Sequence, residues 1–206
     1  MSFHLEGLIR LTRQADLWFQ RARASLSGTI PCGKGCHRCC IGPFAITRLD
    51  VERLQRGLRC LAVEDRRAIQ DEAARQVSVM ERAFPALRHS PSLDDWDDLD
   101  IDSLVEQFAS LPCPALRPDG SCRVYETRPL TCRLMGIPTD DGEMARGACE
   151  VQTSVPIIRL SQSFRREEER LAELESALLS VRHTKVDDSL QQGEEVLLPY
   201  GFLDQP

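Results

Sequence analysis

The sequence predicts a mostly α-helical single domain with little β structure, in which two irregular cysteine-rich loops interrupt the helices. Three observations predict it. Apolar residues recur at intervals of three and four over several long stretches, as one face of a helix requires. Alternating apolar and polar runs, which half-buried strands would show, are scarce. Eight of the nine cysteines stand in two segments rich in glycine and proline, where neither period applies: Cys32, Cys36, Cys39 and Cys40, then Cys113, Cys122, Cys132 and Cys149.

The elements follow in order. From Leu5 to Leu26, the residues Leu5, Leu8, Ile9, Leu11, Leu17, Trp18 and Ala22 mark an amphipathic helix that Ser27-Gly28 ends. Residues Ile30 to Phe44 form the first irregular loop. Thr47 stands as an N-cap, with Asp50 three residues on, before a helix reaching about Leu58. A third helix from Val63 or Glu64 to about Phe84 carries Ala68, Ile69, Ala73, Val77 and Met80 on its apolar face and stops at Pro85. Leu87 to Asp100 reads as a linker or surface loop, and Ile101 to Leu111 as a short helix with Leu104, Val105 and Phe108 inward.

The second loop region spans Pro112 to Cys149, with an Asp119-Gly120 turn that permits a small hairpin between Cys113–Leu116 and Cys122–Tyr125. From Val155 to about Val181, Pro156 and the series Ile157, Leu160, Phe164, Leu171, Leu174, Ala177, Leu178 and Val181 predict a long closing helix. The apolar tail Leu197 to Leu203 either docks on the domain or meets a partner, and docking is the expectation. This gives three segments: an N-terminal helix (1–29), a cysteine-cluster region (30–154), and a long helix with a tail packing on the domain (155–206).

Composition narrows the function. With 28% charged residues and no apolar run near the roughly 20 residues a span needs, no membrane segment is expected. The start reads as an amphipathic helix rather than a secretory signal, so a cytoplasmic location is the expectation. Thiols stay reduced there, and clustered cysteines are metal ligands or redox groups rather than disulfides. Net charge is −6, with the acidic excess concentrated between Asp94 and Asp102, which argues against binding a nucleic-acid backbone. The acidic run itself reads as a solvated loop leading into a helix N-terminus.

Thiolates are soft anionic ligands, so this donor set, without clustered histidines or carboxylates, selects zinc or an iron–sulfur cluster over magnesium or calcium. All eight clustered cysteines are candidate ligands: Cys32, Cys36, Cys39, Cys40, Cys113, Cys122, Cys132 and Cys149. Side chains of neighbours in sequence diverge, so Cys39 and Cys40 are poorly placed to share one mononuclear ion. Cys60 lies apart near a helix end and reads as a small buried hydrophobe, and His37 as a surface residue beside Arg38. Arg128 and Arg133 flank cysteines of the second loop. They are candidates to offset thiolate charge and donate to sulfur, the alternative being a salt bridge to Glu126 or to a helix end. Tyr125 reads as a hydrogen-bonding wall of the site rather than a catalytic acid.

The arrangement Cys-x3-Cys-x2-Cys-Cys at Cys32–Cys40, Thr47-x2-Asp50-x2-Arg53-Leu54, Cys113-Pro-x-Leu and Gly120-x-Cys122-x-Val-Tyr125-Glu126-x-Arg128-Pro129-x2-Cys132-Arg133 resembles the YkgJ-type cysteine-cluster family. That resemblance, covering about Pro31 to Cys149, implies a zinc- or iron-chelating domain with eight characteristic cysteines, and it leaves Cys60 outside. The family's cysteine motif is similar to that of flagellin lysine N-methylases, which makes a protein-modification enzyme one reading. Cys32, Cys36 and Cys39 also overlap the three-cysteine motif of radical S-adenosylmethionine enzymes. The chain has too little strand sequence for their barrel and no glycine-rich nucleotide loop.

Three functions are therefore expected in turn. The first is an iron–sulfur protein, of the 4Fe–4S kind, transferring electrons to a redox partner or serving an oxidoreductase. The second is a structural zinc domain presenting a surface to a protein partner. The third is the methylase-like enzyme.

Overall fold

In the computed structural model, which describes residues 3–25, 35–136, 139–140, 145–146, 162–183 and 195–204, helix is the dominant state and strand is confined to short pairs. The described helices are α1 (Phe3–Ser25), α2 (Arg48–Cys60), α3 (Val63–Ala83), α4 (Asp98–Gln107), α5 (Leu130–Leu134), α6 (Gln162–His183) and α7 (Leu198–Gly201). Strands β1 (Ala45–Thr47) and β4 (Glu195–Leu197) form one antiparallel pair, β2 (Thr139–Asp140) and β3 (Ala145–Arg146) another. The mostly helical class stands as expected. Contacts divide the chain into two compact units, Met1–Cys39 with Leu130–Val186, and Cys40–Pro129 with Asp187–Pro206.

In the first unit α1 packs on α6 and α5. Its buried residues Leu8, Leu11, Ala15, Trp18 and Ala22 repeat at intervals of three and four, the spacing of a helix–helix seam. That seam is narrower than the sequence suggested, since Ile9 and Leu17 are exposed. Gly7 admits Leu178 of α6 where a Cβ would clash, and Arg21 pairs with Glu167 further along. On α6, Leu171 and Leu178 are buried seven residues apart, whereas Ala177 is exposed. The expected start of this helix at Pro156 lies outside the described residues.

The second unit is built on α2 and α3. Ile46, Leu54, Leu58, Ile69, Ala73 and Phe202 share one buried cluster; Val77, Met80, Leu87, Leu93, Leu104 and Tyr200 belong to another. Ala68, expected on the inward face of α3, is exposed, and Gln76 takes a buried place instead. Thr47 occupies the N-cap of α2 but makes no capping hydrogen bond with its side chain. Asp97 does cap α4, accepting from the Asp100 backbone N–H at 2.8 Å, so the acidic run leads into a helix N-terminus.

The stretch expected to be a surface loop is partly core: Leu87 and Leu93 are buried, and the Leu93 N–H donates to the Glu195 carbonyl at 3.0 Å. Local sequence conceals this because the partner residue is a hundred positions away. In the C-terminal tail, β4 pairs with β1 in the register Ala45↔Leu197 and Thr47↔Glu195.

Gly57 approaches the Thr127 turn closely. A Cβ there would overlap Thr127 Oγ1 and fall 2.9 Å from Thr127 Cβ. Gly57→Ala should therefore lower stability by about 1–3 kcal/mol through overpacking, against its helix-propensity gain of about 1 kcal/mol. Urea unfolding midpoints would check this, and an unchanged or raised midpoint would show that the Thr127 turn yields freely.

Candidate metal centre

Cys40, Cys113 and Cys122 are carried by short turns and irregular backbone held on the helices. A 3-10 turn spans Arg38–Cys40, followed by Gly42 at φ +89°, a left-handed conformation that glycine adopts without strain. This lets the chain turn back onto the second loop. The Cys113 N–H donates to the Cys40 carbonyl and the Gly42 N–H to the Leu111 carbonyl, both at 2.7 Å. Cys40 and Cys113 therefore sit on adjacent, hydrogen-bonded backbone. Gln76 braces the junction from α3, its amide donating to the Pro112 carbonyl at 2.8 Å and to Glu72 at 2.7 Å. The Arg75 guanidinium beside Glu72 holds that carboxyl below its usual range, a direction the Gln76 amide supports.

Beyond Cys113 the expected hairpin forms in minimal shape, as a single bridge between Leu116 and Cys122 rather than two strands. The Arg123 N–H donates to the Ala115 carbonyl at 2.9 Å, and Gly120, at φ +80°, closes the turn. Asp119 accepts from the Ser121 hydroxyl and N–H, which hold its carboxyl below the ordinary value. Asp65, at the first turn of α3, accepts from Arg117 and Arg123 at 3.1 Å each and so clamps both arms. Sequence reasoning missed Asp65 and Gln76 as braces; each acts across 36 residues or more, and no local pattern marks such a pairing.

The Tyr125–Thr127 turn follows, and its Glu126 carbonyl accepts from Arg53 at 3.2 Å. Tyr125 is half exposed. The Arg128 guanidinium lies 4.0 Å from its ring centroid and donates to its carbonyl at 2.9 Å. Burial pushes the Cys122 thiol pKa up, while the Val124 N–H and the charges of Arg128, Arg117 and Arg123 pull it down. A protonated thiol must lose its proton to bind a cation, so a cation bound at Cys122 would displace a proton.

In the other unit, Cys132 stands on α5 beside Arg133, which is buried and donates to both oxygens of Asp16 on α1 at 2.7 and 2.6 Å. Arg133 therefore forms a salt bridge, but with Asp16 rather than with the expected Glu126 or a helix end. Cys36 and Cys39 flank His37, which is exposed, its Nδ1 lying 3.3 Å from the Gly35 carbonyl.

Cys36, Cys39, Cys40, Cys113, Cys122 and Cys132 are all partly buried, and no disulfide joins any of the described cysteines. Cys60 is exposed at the end of α2, which corrects its reading as a small buried hydrophobe: the helix turns that last residue toward water. Cys32 and Cys149 lie outside the described residues. Among the described residues, no three His, Cys, Asp or Glu side chains converge to hold one ion. In donor chemistry the described thiols of the pattern fit zinc or iron: they are soft and partly withdrawn from water, and at Cys122 guanidinium groups stand near enough to offset thiolate charge.

Comparison with protein families adds the deciding observation. The model of the CxxCxxCC family, described as "Putative zinc- or iron-chelating domain", matches residues 31–150, more than half of the chain. The chain belongs to this family. The match covers both cysteine-bearing regions and the helices between them, and leaves α1, α6 and the docked tail outside. The family's metals, zinc or iron, are those the thiol set favours. Comparison with curated proteins and with solved structures returns no match. No described helix is long and apolar enough to cross a membrane.

Proposed function

We propose that the chain uses its family cysteines to hold an iron–sulfur cluster, and that it serves electron transfer or an oxidoreductase through a redox partner. The observation that carries this reading is the contrast within the cysteines: those of the family pattern that are described are all partly buried, whereas the one outside it, Cys60, is exposed. Partial burial suits thiolates that ligate an ion while leaving its charge close enough to solvent for a partner to exchange electrons. The proposed ligands are drawn from Cys32, Cys36, Cys39, Cys40, Cys113, Cys122, Cys132 and Cys149, with Arg128 and Tyr125 beside them; the cluster would supply one-electron chemistry.

A second reading, a structural zinc domain, draws on a separate observation. Cys113 and Cys122 pack against the buried cluster of Leu58, Ile69 and Phe202, so a metal held there would also fix the hairpin to the core. Protein purified without oxygen and assayed for iron, acid-labile sulfide and zinc, with a visible spectrum, separates the two. Iron with equal sulfide and brown absorbance is expected. Stoichiometric zinc without sulfide would replace the electron-transfer reading with the structural one, and absence of both metals would overturn both.

A further inference from the structure

At the C-terminal end of α3 the surface forms an open concavity of about 330 Å³ that takes no part in the cysteine region. Its apolar wall includes Phe84, Pro85 and Trp96, and its acidic rim is Asp95 and Asp100; none of the lining residues is basic. The Phe84 and Trp96 rings stand 6.0 Å apart, inclined at 42°, and Phe108 packs edge-on behind Phe84 with centroids 6.3 Å apart. The aromatic wall is thus held from the core side. Within the acidic run, Asp94 accepts from the Glu195 N–H and Asp97 caps α4, whereas Asp95 and Asp100 are exposed at the concavity.

Aromatic faces are negative, and so are the two carboxylates, so every polar feature of this concavity favours a cation with an apolar surface. A guanidinium meets both demands: it stacks flat on indole and donates paired hydrogen bonds to a carboxylate. The net charge of −6 would draw such a ligand from a distance. Leu99, next to Asp100 and 80% exposed, offers apolar contact to whatever flanks it.

We propose that this concavity receives an arginine side chain from a basic segment of a partner protein. The test is titration of intact, metal-loaded protein into a labelled nonapeptide of glycine and serine carrying three arginines, followed by anisotropy at low salt. A second titration uses the same peptide with citrulline at those positions. Binding of the arginine peptide alone is expected, with a shift of the Trp96 indole N–H signal.

The double variant Asp95→Asn/Asp100→Asn should weaken binding by roughly tenfold, whereas Asp98→Asn/Asp102→Asn, equal in charge and also exposed, should weaken it by less than about twofold. These substitutions are at exposed positions, and far-UV circular dichroism confirms that each variant is folded. Equal weakening in both pairs would show diffuse attraction and overturn the site. So would equal binding of the citrulline peptide, or no binding at all.

Discussion

Cys132→Ser is expected to strip the protein of most of its metal, while Cys60→Ser leaves loading unchanged. A serine hydroxyl is a harder donor that does not ionise near neutral pH, so it replaces neither the charge nor the softness of the thiolate it removes. Thiolate zinc sites bind with apparent free energies of about 10–16 kcal/mol spread over four ligands, so losing one ligand should cost roughly a hundredfold or more in affinity. Because metal bound to the folded state stabilises it by mass action, a hundredfold weaker site forfeits up to about 2.7 kcal/mol of that contribution. Cys132 is partly buried on α5, whereas Cys60 is exposed. Metal content per chain after gel filtration, with thermal unfolding of the same samples, decides the matter. Wild-type content in Cys132→Ser would remove Cys132 from the ligand set; equal loss in Cys60→Ser would mean that loading is nonspecific.

That Cys60 is the natural control was legible in the sequence, though its burial was not. Helix periods are local signals, and they placed α1, α2 and α3 within a few residues of their positions. What escaped was set by distant pairing. Leu87 and Leu93 read as linker because their cover, Leu197 and Tyr200, lies at the far end of the chain. Asp65 read as one more acid in a first turn, and only the fold shows it gripping Arg117 and Arg123. Arg133 had two open readings because its partner, Asp16, stands 117 residues away. The exposure of Ile9 and Leu17 has a different cause: α1 buries a narrow seam against helices, so apolar residues beside that seam remain in water. The candidate ligands were named by residue type and by the family pattern. Spacing alone does not say which of them share an ion, since side-chain direction in an irregular loop follows no period.

Phe202→Ala should destabilise the second unit by about 3–5 kcal/mol, the usual range for removing a large aromatic from a packed core. Phe202 is 1% exposed among Ile46, Leu54, Leu58 and Ile69, and it is held there by more than its own contacts. The Leu198 N–H donates to the Phe44 carbonyl at 2.9 Å, and the Gln55 amide donates to the carbonyls of Gly201 and Leu203 at 2.9 and 2.7 Å. Tyr200 donates to Glu81 at 3.3 Å; burial and that carboxylate push the Tyr200 phenol pKa upward, so it keeps its proton. With the tail pinned on both sides, the cavity left by alanine has little freedom to collapse, which favours the upper part of the range. Leu99→Ala, at an 80% exposed position, should stay within about 0.5 kcal/mol and serves as the control. Urea unfolding of metal-loaded and chelated protein measures both. A loss below about 1 kcal/mol for Phe202→Ala would mean the tail is peripheral. The expected loss should also weaken metal retention, because Cys113 and Cys122 rest on the same buried cluster and their backbone positions follow its packing.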